Sequence, residues 1–306
     1  MNESYRITPR NLGSLCLETR CDGCFYILSK LRFHAPFDHS GAAIFHDCQA
    51  MQEATVGYHL EKDGCLPKQF APFCDCTSRA EFPKHWSKFG YEHKSGVWLY
   101  GVPDDIFWRK GGTLSVWDHK TAHPKAGKDP YLPQYQTQVN GYANIAEVGL
   151  ELGQVTNLAL MYWEVQHQDV IDNPAKHVKD GTFCATFIPK PLEVELDYSK
   201  IDKLLEEGKK IWKLRTPPKH NEKCVDGKKL DALFAIQADI EDQLTGEDRR
   251  FIAKCGYTQW ALDTVQRRWA DRRYALASVL LAVQSLGDDD PSSGQGGMAA
   301  DWEFLD

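Results

Sequence analysis

Three residues in the stretch from Gly101 to Ala122, GVPDDIFWRKGGTLSVWDHKTA, can do chemistry together: Asp104, Asp118 and Lys120. Asp118 and Lys120 are two apart, so on a strand their side chains share one face. Asp104 follows Gly101 and Pro103, where the chain enters the preceding strand. Two carboxylates aimed at one point repel unless a cation lies between them, and hard oxygen donors that leave room for water suit Mg2+ or Mn2+. A lysine beside such an ion can position or deprotonate a water, or stabilise charge growing on a phosphate. Each pair alone also fits a plainer reading, a strand cap or an exposed ion pair of little energetic weight.

The order of these residues carries more than the pairs do. GVPD followed by VWDHK resembles the Gly-x-x-Asp … Asp-x-Lys core of the PD-(D/E)XK nuclease superfamily, most closely its RecB-like branch. Two further features stand in the same order as in that family. His46 lies on the helix expected before the strands, and QVNGY, from Gln138 to Tyr142, is similar to the Gln-x-x-x-Tyr helix motif that follows the lysine. The resemblance, which spans roughly residues 5 to 226, implies a divalent-metal-dependent nuclease hydrolysing DNA, an exonuclease in DNA processing or repair. It further implies that His46, Asp104, Asp118 and the backbone carbonyl of His119 hold Mg2+ or Mn2+, with Asp47 as the alternative to His46. Lys120 would then serve the attacking water, while Gln138 and Tyr142 position DNA or the metal-site side chains.

Of the ten cysteines, Cys21 and Cys24 have the spacing of a metal half-site. The segment ITPRNLGSLCLETRCDGCFYILSKL resembles the opening of RecB-like and CRISPR-associated exonucleases, whose cysteines serve an iron-sulfur cluster completed after the nuclease core. That resemblance implies a set of Cys16, Cys21, Cys24 and Cys224 holding an iron-sulfur cluster or Zn2+. Buried or inert thiols are the plain alternative. Cys74 and Cys76 read as part of a structural loop.

The elements that must position these groups follow from periodicity. The run from Ala42 to about Tyr58 predicts a helix, and a Pro- and Cys-rich loop follows to Pro83. Residues 96–101, 106–109 and 113–118 predict a three-stranded meander, with Lys110, Gly111 and Gly112 turning the second strand into the third. Helical spacing returns from Tyr131 to Gly149, a strand is expected at 155–163, a second hairpin from Thr182 to Leu196, and a helix through Ile201 to Trp212. The alternation predicts an α/β fold, a central mixed β-sheet flanked by helices, with a C-terminal helical extension. The resemblance implies the restriction-endonuclease-like version of it. The expected parts are a core at 1–226, the helical extension at 227–286 and a disordered acidic tail at 287–306.

Composition limits what the molecule meets. A net charge of −7 gives no overall positive field toward nucleic acid or an anionic membrane, so any phosphate-binding surface is a local patch. The longest apolar run, near Ala275 to Val283, is too short to span a bilayer, and MNESYRITPR has no signal-peptide pattern. A soluble, intracellular (cytoplasmic) protein without membrane contact is expected, with DNA as partner. The acidic-aromatic tip is expected to bind a protein through Trp302, Phe304 and Leu305. Two other readings stay open: a catalytically silent nucleic-acid-binding or assembly protein with a cysteine-bound metal, and an interaction adaptor working through its tail.

Overall fold

The computed structural model describes residues 5–31, 43–121 and 129–231. Most of the extension expected at 227–286, and all of the tail with its Trp302, Phe304 and Leu305, lie outside them. The chain divides into two units, Met1–Glu18 with Gly41–Lys210 and Thr19–Ser40 with Ile211–Asp306, so the second is discontinuous in sequence.

Along the chain the elements are β1 (Arg6–Ile7), α1 (Pro9–Gly13), α2 (Asp22–Leu31), α3 (Ala43–Asp63), β2 (Cys76–Arg79), β3 (Gly90–Glu92), β4 (Trp98–Tyr100), β5 (Asp105–Arg109) and β6 (Leu114–Lys120). They continue with α4 (Leu132–Asn144), β7 (Val155–Val165), α5 (His167–Asp172), α6 (Pro174–His177), β8 (Val178–Lys179), β9 (Thr182–Phe183), β10 (Phe187–Val194) and α7 (Tyr198–Trp212). Five strands form the main sheet in the order β10-β7-β6-β5-β2. β6 and β7 run parallel, joined through α4, and the other neighbours are antiparallel. A parallel pair needs such a crossover, and α4 supplies it. The mixed sheet flanked by helices is the architecture expected from the sequence.

β7 lies between two neighbours, and from Asn157 to Trp163 every residue of it is buried, which is why its sequence, VTNLALMYW, is nearly unbroken in apolar character. On one face of the sheet Phe107, Trp117, Ala159, Met161 and Trp163 meet Val56 and Leu60 of α3, together with Phe70 and Phe73 from the loop after it. Val56 and Leu60 are one helical turn apart, so α3 presents them side by side. α4 lies against β6 and β7, and every residue from Thr137 to Asn144 is buried. α1 is held against α4 at close range: a Cβ on Gly141 would sit 2.5 Å from Pro9 Cβ. Its start is well made, with Pro9 at the first turn and the Thr8 side chain accepting from Asn11 N at 3.2 Å.

Three expectations need correction. The meander loses its first strand: β4 joins β1 and β3 in a separate sheet, leaving only the β5–β6 hairpin. The break is at Gly101, whose φ of +146° is open to glycine and whose missing Cβ leaves room for the Tyr142 ring 2.9 Å away. The loop expected up to Pro83 contains β2, which adds an edge strand to β5. The hairpin expected from Thr182 to Leu196 is instead β10 paired along its whole length with β7, preceded by the small β8–β9 pair.

Candidate active site

The β5–β6 register sets the acidic pair. Asp105 is paired with Trp117 and Ile106 with Val116. The residue before β5, Asp104, therefore falls opposite Asp118, and residues directly opposite on an antiparallel pair project to the same side. The turn at Gly111 and Gly112, with φ of +106° and +78°, fixes that register. Asp104 Oδ2 accepts from the backbone N–H of His119 at 2.5 Å, which pins it across the hairpin.

Lys120 joins them as the strand period requires. Its Nζ is 2.6 Å from Asp118 Oδ2 and donates to Gln138 Oε1 at 3.2 Å. Gln138 Nε2 in turn donates to the Tyr142 hydroxyl at 3.1 Å, and Lys120 Nζ lies 4.3 Å above the Tyr135 ring. Gln138 and Tyr142 are thus brought to the site by α4, one turn apart, acting on the lysine as a chain of contacts. Asp118 Oδ2 is buried and, among the described residues, makes no hydrogen bond of good geometry, although the ammonium of Lys120 meets it.

His119, the alternate residue of β6, faces the other way. Its Nδ1 accepts from Trp163 Nε1 at 2.9 Å, which leaves the proton on Nε2, 3.2 Å from Asp105 Oδ2. Arg79 Nε sits 2.6 Å from the other oxygen of Asp105. This buried network anchors β5 and β6 beneath the acidic pair, and His119 can serve a metal only through its backbone carbonyl. His46 lies on α3, with its side chain outside the described residues, and Asp47 is exposed. Cys16 belongs to the first unit, where Thr137 Oγ1 donates to its sulfur at 3.4 Å. Of the four cysteines expected to share a metal, Cys21, Cys24 and Cys224 have sulfurs within 4.8 Å of one another among the described residues.

Sequence reasoning missed two residues of α3. Gln49 Nε2 donates both to Asp104 Oδ1, at 2.9 Å, and to Glu53 Oε1, at 3.0 Å, bringing a third carboxylate near the pair. The available signal was polar spacing: His46, Gln49 and Glu53 recur at helical intervals on an otherwise unremarkable helix. Lys84, exposed at its surface, adds a donor to the Asp104 carbonyl oxygen at 3.2 Å.

Burial, and then repulsion from Asp118, raise the Asp104 pKa from 3.8 to about 7, against the pull of His119, Lys120 and the His119 amide. A cation between the carboxylates would relieve both causes. Among the described residues no three side-chain donors of the kinds that bind metals converge here. Two carboxylates with the remaining positions open to water and substrate is nevertheless how Mg2+ is usually held, so the donor set fits that ion or Mn2+.

The raised value has a testable sign. The metal-free fold holds the Asp104 proton more tightly than the unfolded chain does. This contribution to stability is complete below about pH 3.8 and is lost as pH rises through about 7. Asp104→Asn should therefore raise the metal-free stability at pH 8 by roughly 1 kcal/mol or more while weakening Mn2+ binding. The asparagine oxygen can still accept from His119 N, and a rotated Gln49 amide can pair with its NH2. Urea unfolding in chelator at pH 5 and pH 8 reads the difference, and no gain at pH 8 would count against a strained acidic pair.

A sequence profile of the PD-(D/E)XK nuclease superfamily matches residues 52–243. No curated protein matches. Among solved structures the chain is similar to one described as the crystal structure of SSO0001, at 14% identity over 71% of this chain and 80% of that one, with a TM-score of 0.30, too low to bear on the argument. The profile runs from Gln52 on α3 through both aspartates, Lys120 and the whole of α4. That is the span that the β5–β6 register and the helix contacts tie into one site, and on it this protein belongs to the PD-(D/E)XK nuclease superfamily, in general metal-dependent nucleases using divalent ions such as Mg2+ or Mn2+.

Proposed function

We propose that this protein hydrolyses phosphodiester bonds of DNA as an exonuclease of the RecB-like kind, in DNA processing or repair. The observation that carries the reading is the cross-strand pair of Asp104 and Asp118 with Lys120 Nζ 2.6 Å from Asp118 Oδ2. Asp104 and Asp118, with the His119 carbonyl and His46, would hold a divalent ion. When bound, that ion polarises the phosphodiester and lowers the pKa of a water.

The chain's own groups do the rest. Asp104 is fixed in place by His119 N and Gln49, so its carboxylate is aimed before substrate arrives. Lys120 is held from three sides by Asp118, Gln138 and the Tyr135 ring, which keeps its ammonium where it can orient an attacking water and meet negative charge on the phosphate. Tyr142, through Gln138, keeps that geometry rather than touching the reacting atoms. The exonuclease mode rests on the likeness of the N-terminal segment to RecB-like and CRISPR-associated exonucleases.

The test is incubation of purified protein with end-labelled linear single- and double-stranded DNA and with closed circular DNA, in Mn2+ or in chelator. Linear DNA should be shortened from its ends in Mn2+ alone while circles persist. Nicked circles would replace the exonuclease reading by an endonuclease one. If no DNA or RNA is cut with any divalent ion, the silent nucleic-acid-binding reading takes over. Among the described residues no helix is long and apolar enough to cross a membrane.

A further inference from the structure

The second unit contains a cluster that the nuclease chemistry does not use. Cys21 immediately precedes α2, Cys24 lies in its first turn, and Cys224 comes from the chain after α7; their sulfurs all lie within 4.8 Å of one another. His220 completes the group, its Nδ1 standing 3.3 Å from Cys21 Sγ and 3.4 Å from Cys24 Sγ, while Cys24 and Cys224 sulfurs are 3.5 Å apart. We propose that Cys21, Cys24, His220 and Cys224 form a structural site for one zinc ion, with His220 as the fourth ligand.

Geometry favours a single ion. With zinc–sulfur bonds of about 2.3 Å and zinc–nitrogen bonds of about 2.0 Å, a tetrahedron has edges of roughly 3.5 to 3.8 Å. The three separations of 3.3, 3.4 and 3.5 Å sit near that scale. In an iron-sulfur cluster no more than two thiolates share an iron, so three or four must spread around a core of several atoms, and an all-cysteine set is the usual one. Here three sulfurs lie within 4.8 Å of one another and an imidazole nitrogen stands within 3.4 Å of two of them, the donors of a Cys3His structural zinc site.

The surroundings are built for such a set. Backbone N–H groups donate to two of the sulfurs, Asn221 to Cys21 at 3.3 Å and Gly227 to Cys224 at 3.2 Å, as expected where thiolate charge is to be held. Asp231 Oδ1 lies 3.5 Å from His220 Nε2, a carboxylate behind the imidazole that keeps Nδ1 turned to the sulfurs. Two glycines flank the ring: a Cβ on Gly23 would approach His220 Nδ1 to 2.7 Å, and one on Gly227 would approach it to 2.8 Å. Nothing larger fits beside His220 at either place. The site would tie chain segments some 200 positions apart, and its binding energy would be folding energy for the second unit.

Elemental analysis of the full-length protein, purified without chelator, should find zinc at one per chain. Stoichiometric iron with acid-labile sulfide, or neither metal, overturns the proposal. Cobalt loaded in place of zinc should give tetrahedral d–d bands with thiolate charge transfer. His220→Ala should weaken zinc binding by roughly 10²-fold or more in competition with a chromophoric chelator. His220→Cys should restore it, which separates ligand loss from misfolding. Cys16→Ser and Asp118→Ala should leave the zinc content unchanged. If His220→Ala holds zinc as tightly as the parent while Cys16→Ser releases it, the fourth ligand is assigned wrongly. None of these readouts depends on nuclease activity.

Discussion

Lys120→Ala is expected to keep Mn2+ bound and to slow DNA cleavage by roughly 10²-fold or more, the scale of a positioned proton-transfer or charge-stabilising group. The ammonium contacts Asp118 Oδ2 at 2.6 Å, so its removal takes a positive charge from beside the carboxylate proposed to bind the metal and cannot weaken cation binding by electrostatics. What is lost is the group that Gln138 and Tyr135 hold over the site. Asp118→Ala should behave differently, losing metal and cleavage together. Affinity for DNA measured in chelator should change little in either, because a nuclease's affinity for DNA comes in large part from phosphate contacts spread beyond the reacting site. Isothermal titration with Mn2+ beside single-turnover cleavage separates the two steps. Cleavage by Lys120→Ala at the parent rate would remove the lysine from the chemistry.

The second large effect lies directly under the site. Trp117→Ala should destabilise the first unit by about 3–5 kcal/mol, the range for emptying a large aromatic site in a packed core. The side chain is fully buried on the central strand. Its ring centroid is 4.7 Å from that of Phe107, 5.3 Å from Phe73 and 6.3 Å from Phe70, and its Nε1 donates to Ser115 Oγ at 2.7 Å. Alanine leaves a cavity that Phe107, Phe70 and Phe73 would have to close. Trp117→Phe should cost less, about 1–2 kcal/mol, since it keeps most ring contacts and gives up one hydrogen bond. Urea midpoints with an unchanged dependence on denaturant would report the losses. A Trp117→Ala protein as stable as the parent would mean that this cluster is not the core it is described to be.

The acidic pair and its lysine were legible because they depend on short-range rules. Strand periodicity puts Asp118 and Lys120 on one side, and a two-glycine turn six residues before Asp118 sets the hairpin register that brings Asp104 opposite. Gln138 and Tyr142 were legible as a helical pair, but what they hold depends on a crossover that delivers α4 to β6. Gln49, and Glu53 behind it, were not: the glutamine's reach to Asp104 spans 55 positions, and nothing local marks a glutamine on a long helix as facing a strand. Pairing partners were hidden for the same reason. Alternation announces β10 as a strand without saying that β7 is its neighbour, and residues 96–101 look continuous with β5 until the backbone at Gly101 turns them into another sheet. The cysteine set shows the limit most clearly. Cys16 and His220 both offer suitable atoms, and only folded proximity across nearly 200 positions favours the histidine.

The discontinuity of the second unit has a consequence for how the protein is made. Cys21 and Cys24 leave the ribosome early, while their partner Cys224 follows 200 positions after Cys24. At usual elongation rates that is about 10–40 s, during which nearly all of the first unit, the local β5–β6 hairpin included, is made. The nascent segment from Thr19 to Ser40 must wait with two thiols unpartnered, open to oxidation or to premature capture of metal. Completion of the second unit therefore comes late in synthesis, and zinc bound at the proposed site would be part of that last step.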